Sequence, residues 1–165
     1  MGRRCLRSPA GATTRPEDTR AGAVAATWVD KWNGLVDKFV GDEVVALFVP
    51  GLAGDDHASR AVEAARELLR ETGNGDDKPW VPVGAGVHTG VAYVGRVGEG
   101  DACDFTAVGD AVNTTARLAS SAAAGEVLVS RTAADASGLL LDRLEARTLT
   151  LRGRDEAIDV VVARA

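Results

Sequence analysis

Val24, Trp28 and Trp32 recur at helical spacing, and Asn33-Gly34 supplies a stop, so the apolar pattern predicts a short helix over 21–32. Two β-rich runs follow over 35–40 and 44–49, separated by Gly41-Asp42-Glu43, a turn sequence that predicts a hairpin with Asp42 at its tip. Ala58, Ala61, Val62, Ala65, Leu68 and Leu69 fall on one stripe of a helix over 57–70, with Asp56 placed to cap it. After a turn-rich stretch over 72–77, the segments 81–87 and 90–97 predict a second hairpin about His88-Thr89. The rest of the pattern predicts a strand over 105–108, a helix over 110–121, a strand over 126–130, a helical turn over 132–136 and a terminal strand pair over 148–151 and 158–162. Residues 1–20 show no apolar period and are rich in Arg, Ser, Thr, Gly and Pro, so they are expected to be irregular and the folded domain to be 21–165. Hairpins and two amphipathic helices packing on one face, without regular strand-helix alternation, predict an α+β fold and not a doubly wound sheet.

Composition narrows the setting. At 165 residues the chain is the size of one domain, and 45% hydrophobic with 26% charged residues is the balance of a globular protein, not a disordered one. The apolar run over 44–50 falls far short of a bilayer span, so no membrane role is expected. A net charge of -5 with interspersed signs lacks the basic face that nucleic acid requires. Cys5 and Cys103 have no metal-ligand spacing, and the basic N-terminus lacks the apolar stretch of a secretory signal. The cytoplasm is the expected compartment.

Candidate chemistry is thinly spread. An acidic side chain after glycine at a strand turn suits a divalent cation, because Gly41 lets phosphate oxygens and metal approach the backbone beside Asp42; on local sequence alone a plain turn dipeptide is the commoner reading. Lys38 lies four residues before Asp42, on the same face by the two-residue period, though a lysine there is more often a snorkelling surface residue. Asn113 and Arg117 are four apart on one helix face, where Arg can grip phosphate oxygens and Asn can orient a sugar or phosphate. Asp110 reads as the N-cap of that helix and His88 as structural.

Taken in order, these pieces resemble the class III adenylate and guanylate cyclases. Lys38-Phe39-Val40-Gly41-Asp42 and its flanks over 36–48 resemble the family's metal-site hairpin, Asp56-His57-Ala58 the next segment, and residues 83–90 the strand pair after it. Residues 104–118, with Asn113 and Arg117, are similar to its last catalytic block; the matching motifs span 35–130. The resemblance implies a ferredoxin-like palm that dimerises head to tail, as a homodimer or a heterodimer with another cyclase chain, with active sites shared across the interface. It implies ATP as substrate, closed to cyclic AMP with loss of pyrophosphate, and Mg²⁺ or Mn²⁺ as cofactor. Asp42 matches one metal carboxylate and Gly41 the turn residue beside it. Lys38 and Thr106 match the purine-reading pair, and Asn113 and Arg117 the residues that position ribose and stabilise the reacting phosphate. Lys with Thr points to adenine and to a bacterial Thr-containing subgroup; a guanylate cyclase would usually place Glu at position 38.

The resemblance breaks at the N-terminus. The family's first strand, which carries a second metal Asp, has no counterpart among the 37 residues before Lys38 in the form of an apolar strand ending in Asp. The fold is therefore expected to be N-terminally truncated, with catalysis as a homodimer severely reduced and the enzyme active either alone or as one half of a heterodimer with an intact partner. The alternative is a non-catalytic cyclase-like module that binds nucleotide or a partner.

Overall fold

The structure is a computed structural model that describes residues 2–7, 20–75, 78–99, 102–150 and 157–165, the first of these segments through its backbone alone. In chain order the elements are β1 (Gly2–Arg7), α1 (Arg20–Lys31), β2 (Leu35–Val40), β3 (Glu43–Phe48), α2 (Pro50–Ala53), α3 (His57–Glu71), β4 (Gly84–Thr89), β5 (Tyr93–Glu99), β6 (Ala102–Val108), α4 (Asp110–Ser121), β7 (Glu126–Ser130), α5 (Arg131–Ser137), β8 (Glu145–Thr150) and β9 (Ala157–Arg164). No described helix is long and apolar enough to cross a membrane.

Every residue of β7 is buried, so this strand needs cover on both faces and a neighbour on each side. It pairs in parallel with β4 and antiparallel with β9, within a seven-stranded sheet of order β2-β3-β1-β4-β7-β9-β8. Side chains alternate across it. Val127 and Val129 join Phe48, Val87 and Val161 in the main core beneath α1, α3 and α5, whereas Leu128 faces the other way, with Leu118 of α4, Val160 and Val162. The expectation that the two amphipathic helices share one face is thus corrected: α3 and α4 sandwich the sheet. Helical periodicity shows which side of a helix is apolar, not which side of a sheet it covers.

Two strand expectations are also corrected. β4 and β5 do not pair. β4 lies inside the large sheet between β1 and β7, and β5 pairs with β6, from Tyr93↔Val108 to Glu99↔Ala102, as a separate two-stranded arm. Positions 84–87 of β4 are all buried, which an outlying hairpin strand could not achieve, whereas β5 is largely exposed. The second correction concerns residues 1–20, expected to be irregular, of which 1 and 8–19 lie outside the described residues. Gly2–Arg7 is a strand that pairs with β3 from Gly2↔Phe48 to Arg4↔Ala46 and with β4 from Gly2↔Thr89 to Arg7↔Gly84. The slot of a first strand is therefore filled, which corrects the expectation of an N-terminally truncated fold. Its pairing is backbone hydrogen bonding demanded by two buried neighbours, which an Arg-rich sequence without apolar alternation did not advertise.

The far edge of the sheet is fixed by charge. Glu126 accepts two hydrogen bonds from Arg147, at 2.7 and 3.1 Å, and one from the Ala123 amide at 3.1 Å. Arg147 also reaches Glu145 at 2.6 Å, and Arg164 bonds Glu145 at 2.9 Å, so β7, β8 and β9 share one network.

Candidate functional site

The β2–β3 hairpin closes at Val40↔Glu43, leaving Gly41-Asp42 as a two-residue turn. Gly41 has φ 59° and Asp42 is not in the positive-φ region, the pattern of a turn whose first central residue favours glycine. A β-carbon built on Gly41 would meet nothing within 4 Å, and Asp42 is exposed, so the space over the turn is open.

Within β2 the register slips: Val36 faces Ala46 but Lys38 faces Val45, which leaves Asp37 as an extra residue in a bulge. Strict alternation would send Asp37 and Lys38 to opposite faces. Instead Lys38 Nζ lies 3.7 Å from Asp37 Oδ2, with the Lys38 side chain 42% exposed and that of Asp37 1% exposed. The same Asp37 oxygen accepts a hydrogen bond from Thr106 Oγ1 at 3.1 Å. Thr106 is buried on β6, opposite Gly95 of β5. Lys38 and Thr106, predicted to act together, are thus joined through Asp37. Sequence reasoning missed Asp37; its only signal was adjacency to Lys38, and the bulge that turns it inward is not written in residue periodicity.

Gly109, at φ 149°, leads β6 directly into α4. Gly109 and not Asp110 occupies the N-cap, which corrects that expectation; Asp110 sits in the first turn, where a carboxylate complements the helix dipole. Asp56 does stand at the N-cap of α3 but caps without a side-chain hydrogen bond. On α4 the buried positions are Ala111, Thr114, Thr115, Leu118 and Ala119, so exposed Asn113 and half-buried Arg117 share the outer face. Neither side chain makes a hydrogen bond or ion pair with a described residue, so nothing among the described residues ties them to Lys38, Asp42 or Thr106. His88, expected to be structural, has Nδ1 2.8 Å from Ser130 Oγ, the hydroxyl that caps α5.

Among the described residues the donor set does not make a two-metal site. No group of three His, Cys, Asp or Glu side chains among the described residues could hold a metal ion. The strand beside the Asp42 hairpin, Gly2–Arg7, contains three arginines and no carboxylate. Asp42 is the one carboxylate within the two-residue turn, with Glu43 following it as the first residue of β3.

Residues 38–162 match the sequence profile of the adenylate and guanylate cyclase catalytic domain. The chain belongs to this family. The cyclase domain is 30% identical over 136 residues to the terminal-differentiation specific adenylate cyclase of Dictyostelium discoideum, covering 77% of this chain and 6% of that protein. It is 29% identical over 150 residues to an adenylate cyclase of Anabaena cylindrica, covering 83% of this chain and 29% of that one. The chain therefore spans less than a third of the length of either relative. In fold the cyclase domain is similar to the guanylyl cyclase Cya2, with TM-score 0.76 and 26% identity over 98% of this chain and 90% of that one. The adenylyl cyclase CyaB from P. aeruginosa has the same fold, with TM-score 0.74 and 23% identity over 99% of this chain and 93% of that one. The palm of a class III nucleotide cyclase is thus present, with relatives named for both purines.

Proposed function

We propose that this cyclase domain is an adenylate cyclase subunit, converting ATP to cyclic AMP and pyrophosphate in a site composed with an intact cyclase partner. The observation that carries the adenine reading is the cluster of Lys38, Asp37 and Thr106 on one chain, with Lys38 3.7 Å and Thr106 3.1 Å from the same carboxylate oxygen. A lysine offers only donors, which suits the N1 acceptor of adenine, and a threonine oxygen can accept from the N6 amine. Asn113 and Arg117, on the outer face of α4 and without side-chain partners among the described residues, are then available to a ribose and an α-phosphate held across a dimer interface. The ribose 3′-hydroxyl forms the new bond to the α-phosphorus as the bond to the leaving pyrophosphate breaks, and the Arg117 fork meets charge developing on the transferred group.

The metal carboxylates are assigned to the partner, which would bring its own Mg²⁺ or Mn²⁺; Asp42 alone does not complete such a site. The test is cyclic AMP formation from ATP with Mn²⁺, by this chain alone and mixed with a cyclase whose metal carboxylates are intact but whose base-reading lysine is removed. Product is expected only in the mixture. No product in either condition overturns the enzyme reading. One observation, a first strand without a carboxylate, favours a second reading: a non-catalytic module that binds nucleotide without turnover.

A further inference from the structure

We infer that Asp37 is a specificity-determining positioning residue, which fixes the polarity of the Thr106 hydroxyl and thereby makes the base pocket read adenine and reject guanine. The inference rests on the proposed adenine reading and adds to it a residue outside the Lys38 and Thr106 pair.

A threonine hydroxyl alone discriminates poorly, because it has one proton to donate and lone pairs to accept, and it rotates to suit its ligand. With its proton free it would donate to guanine O6 as readily as its oxygen would accept from adenine N6. Here the proton is committed. The Asp37 carboxylate is an acceptor, so in the 3.1 Å contact Thr106 must donate. What Thr106 retains for a ligand is acceptor capacity, matching the adenine amine and opposing the guanine carbonyl.

Burial makes the commitment firm. The Asp37 side chain is 1% exposed, and Thr106 is 6% exposed, so water does not compete freely for the bond. The bulge at Asp37 is what allows this, turning the carboxylate toward β6 while Lys38 remains on the accessible side. The same oxygen attracts the Lys38 ammonium, which limits the directions that Lys38 can take. One carboxylate thus orders an acceptor and a donor, complementary to the two hydrogen-bonding atoms on the Watson–Crick edge of adenine. A site that holds its polar groups in one sense penalises the base that needs the opposite sense.

The experiment compares displacement of a fluorescent adenine nucleotide by ATP and by GTP from the full chain and from Asp37→Asn, Thr106→Val and Thr106→Ser variants. The wild-type chain should prefer ATP. Asp37→Asn, whose amide can donate to Thr106 and release its proton, should reduce the ATP-to-GTP affinity ratio by about tenfold or more. Thr106→Val should reduce it similarly, and the double variant no further, because Asp37 acts through Thr106. An Asp37→Asn variant that melts as the wild type does and keeps the ratio, or loses both affinities equally, overturns the proposal and leaves the adenine reading intact. Should Asp37→Asn fail to fold, the threonine pair decides: Thr106→Ser keeps the bond to Asp37 and should keep the preference, and loss equal to that of Thr106→Val overturns the proposal. A wild-type chain that does not prefer ATP removes the adenine reading and the inference together.

Discussion

A β-carbon on Gly86 would lie 2.4 Å from the backbone nitrogen of Ala119, so α4 rests directly on the backbone of β4. The helix that carries Asn113 and Arg117 owes its height above the sheet to that missing methyl group. The same β-carbon would be 2.9 Å from Leu118 Cβ and from the Thr115 carbonyl oxygen, and none of these atoms is the free end of a flexible side chain. Gly86→Ala is therefore expected to destabilise the domain by about 3 kcal/mol, read as a lower urea midpoint with an unchanged slope.

On the proposed adenylate cyclase reading, Arg117 would act on charge that exists only as the phosphoryl group transfers. In the mixture with a partner that supplies the metal carboxylates, Arg117→Ala should lower kcat by roughly a hundredfold or more while KM for ATP changes little. Initial rates over a range of ATP concentrations separate the two parameters, and a rise in KM at unchanged kcat would mean that Arg117 only binds ground-state substrate.

Acid should attack the edge of the sheet first. Hydrogen bonds from Arg147 and then Arg164 hold the Glu145 carboxyl down at about 2, against an ordinary 4.5. Arg147, foremost, also holds Glu126 below its ordinary value. Both folded-state values are depressed, so their contribution is fully present above the ordinary carboxylate range and is lost as pH falls through the depressed values. Urea midpoints are expected to be level above about pH 5 on account of these groups and to fall below it. Arg147→Ala should flatten part of that fall and lower the urea midpoint at neutral pH, because the Glu126 side chain, 9% exposed, is left without its main partner.

The β5–β6 arm exposes apolar side chains on both faces, Tyr93 with its cross-strand neighbour Val108 on one and Phe105 opposite Arg96 on the other. Tyr93 is 61% and Phe105 59% exposed, next to Val91 at 96%, which is costly in an isolated chain and useful against a partner. Phe105→Asp should shift the chain toward monomer in sedimentation velocity and reduce activity in the partner mixture, without lowering its melting temperature. A dimer fraction indifferent to Phe105→Asp would place the interface elsewhere.

Local chemistry was legible where local rules decide the outcome. The stripe of α3, the Gly41-Asp42 turn and the helix after Gly109 follow from periodicity and turn residues, and the paired motifs around Lys38 and Asn113 carried the family. What sequence did not disclose is governed by tertiary demand. Gly2–Arg7 is a strand because β3 and β4 both need a neighbour, β5 pairs forward with β6 because β4 is enclosed on both sides, and Asp37 turns inward because β2 has one residue too many for its partner. Each of these depends on residues far away in the chain.

On the proposed reading, the strand that occupies the first slot without a carboxylate would also set a stoichiometry. A head-to-tail pair of this chain and an intact cyclase would contain two clefts, but only the one combining the intact chain's acidic half with this chain's Lys38, Thr106, Asn113 and Arg117 could turn over. The opposite cleft would be silent. Such an assembly would work as a single-stroke engine, with no cooperativity between sites, and its output would track the ratio in which the two chains are made.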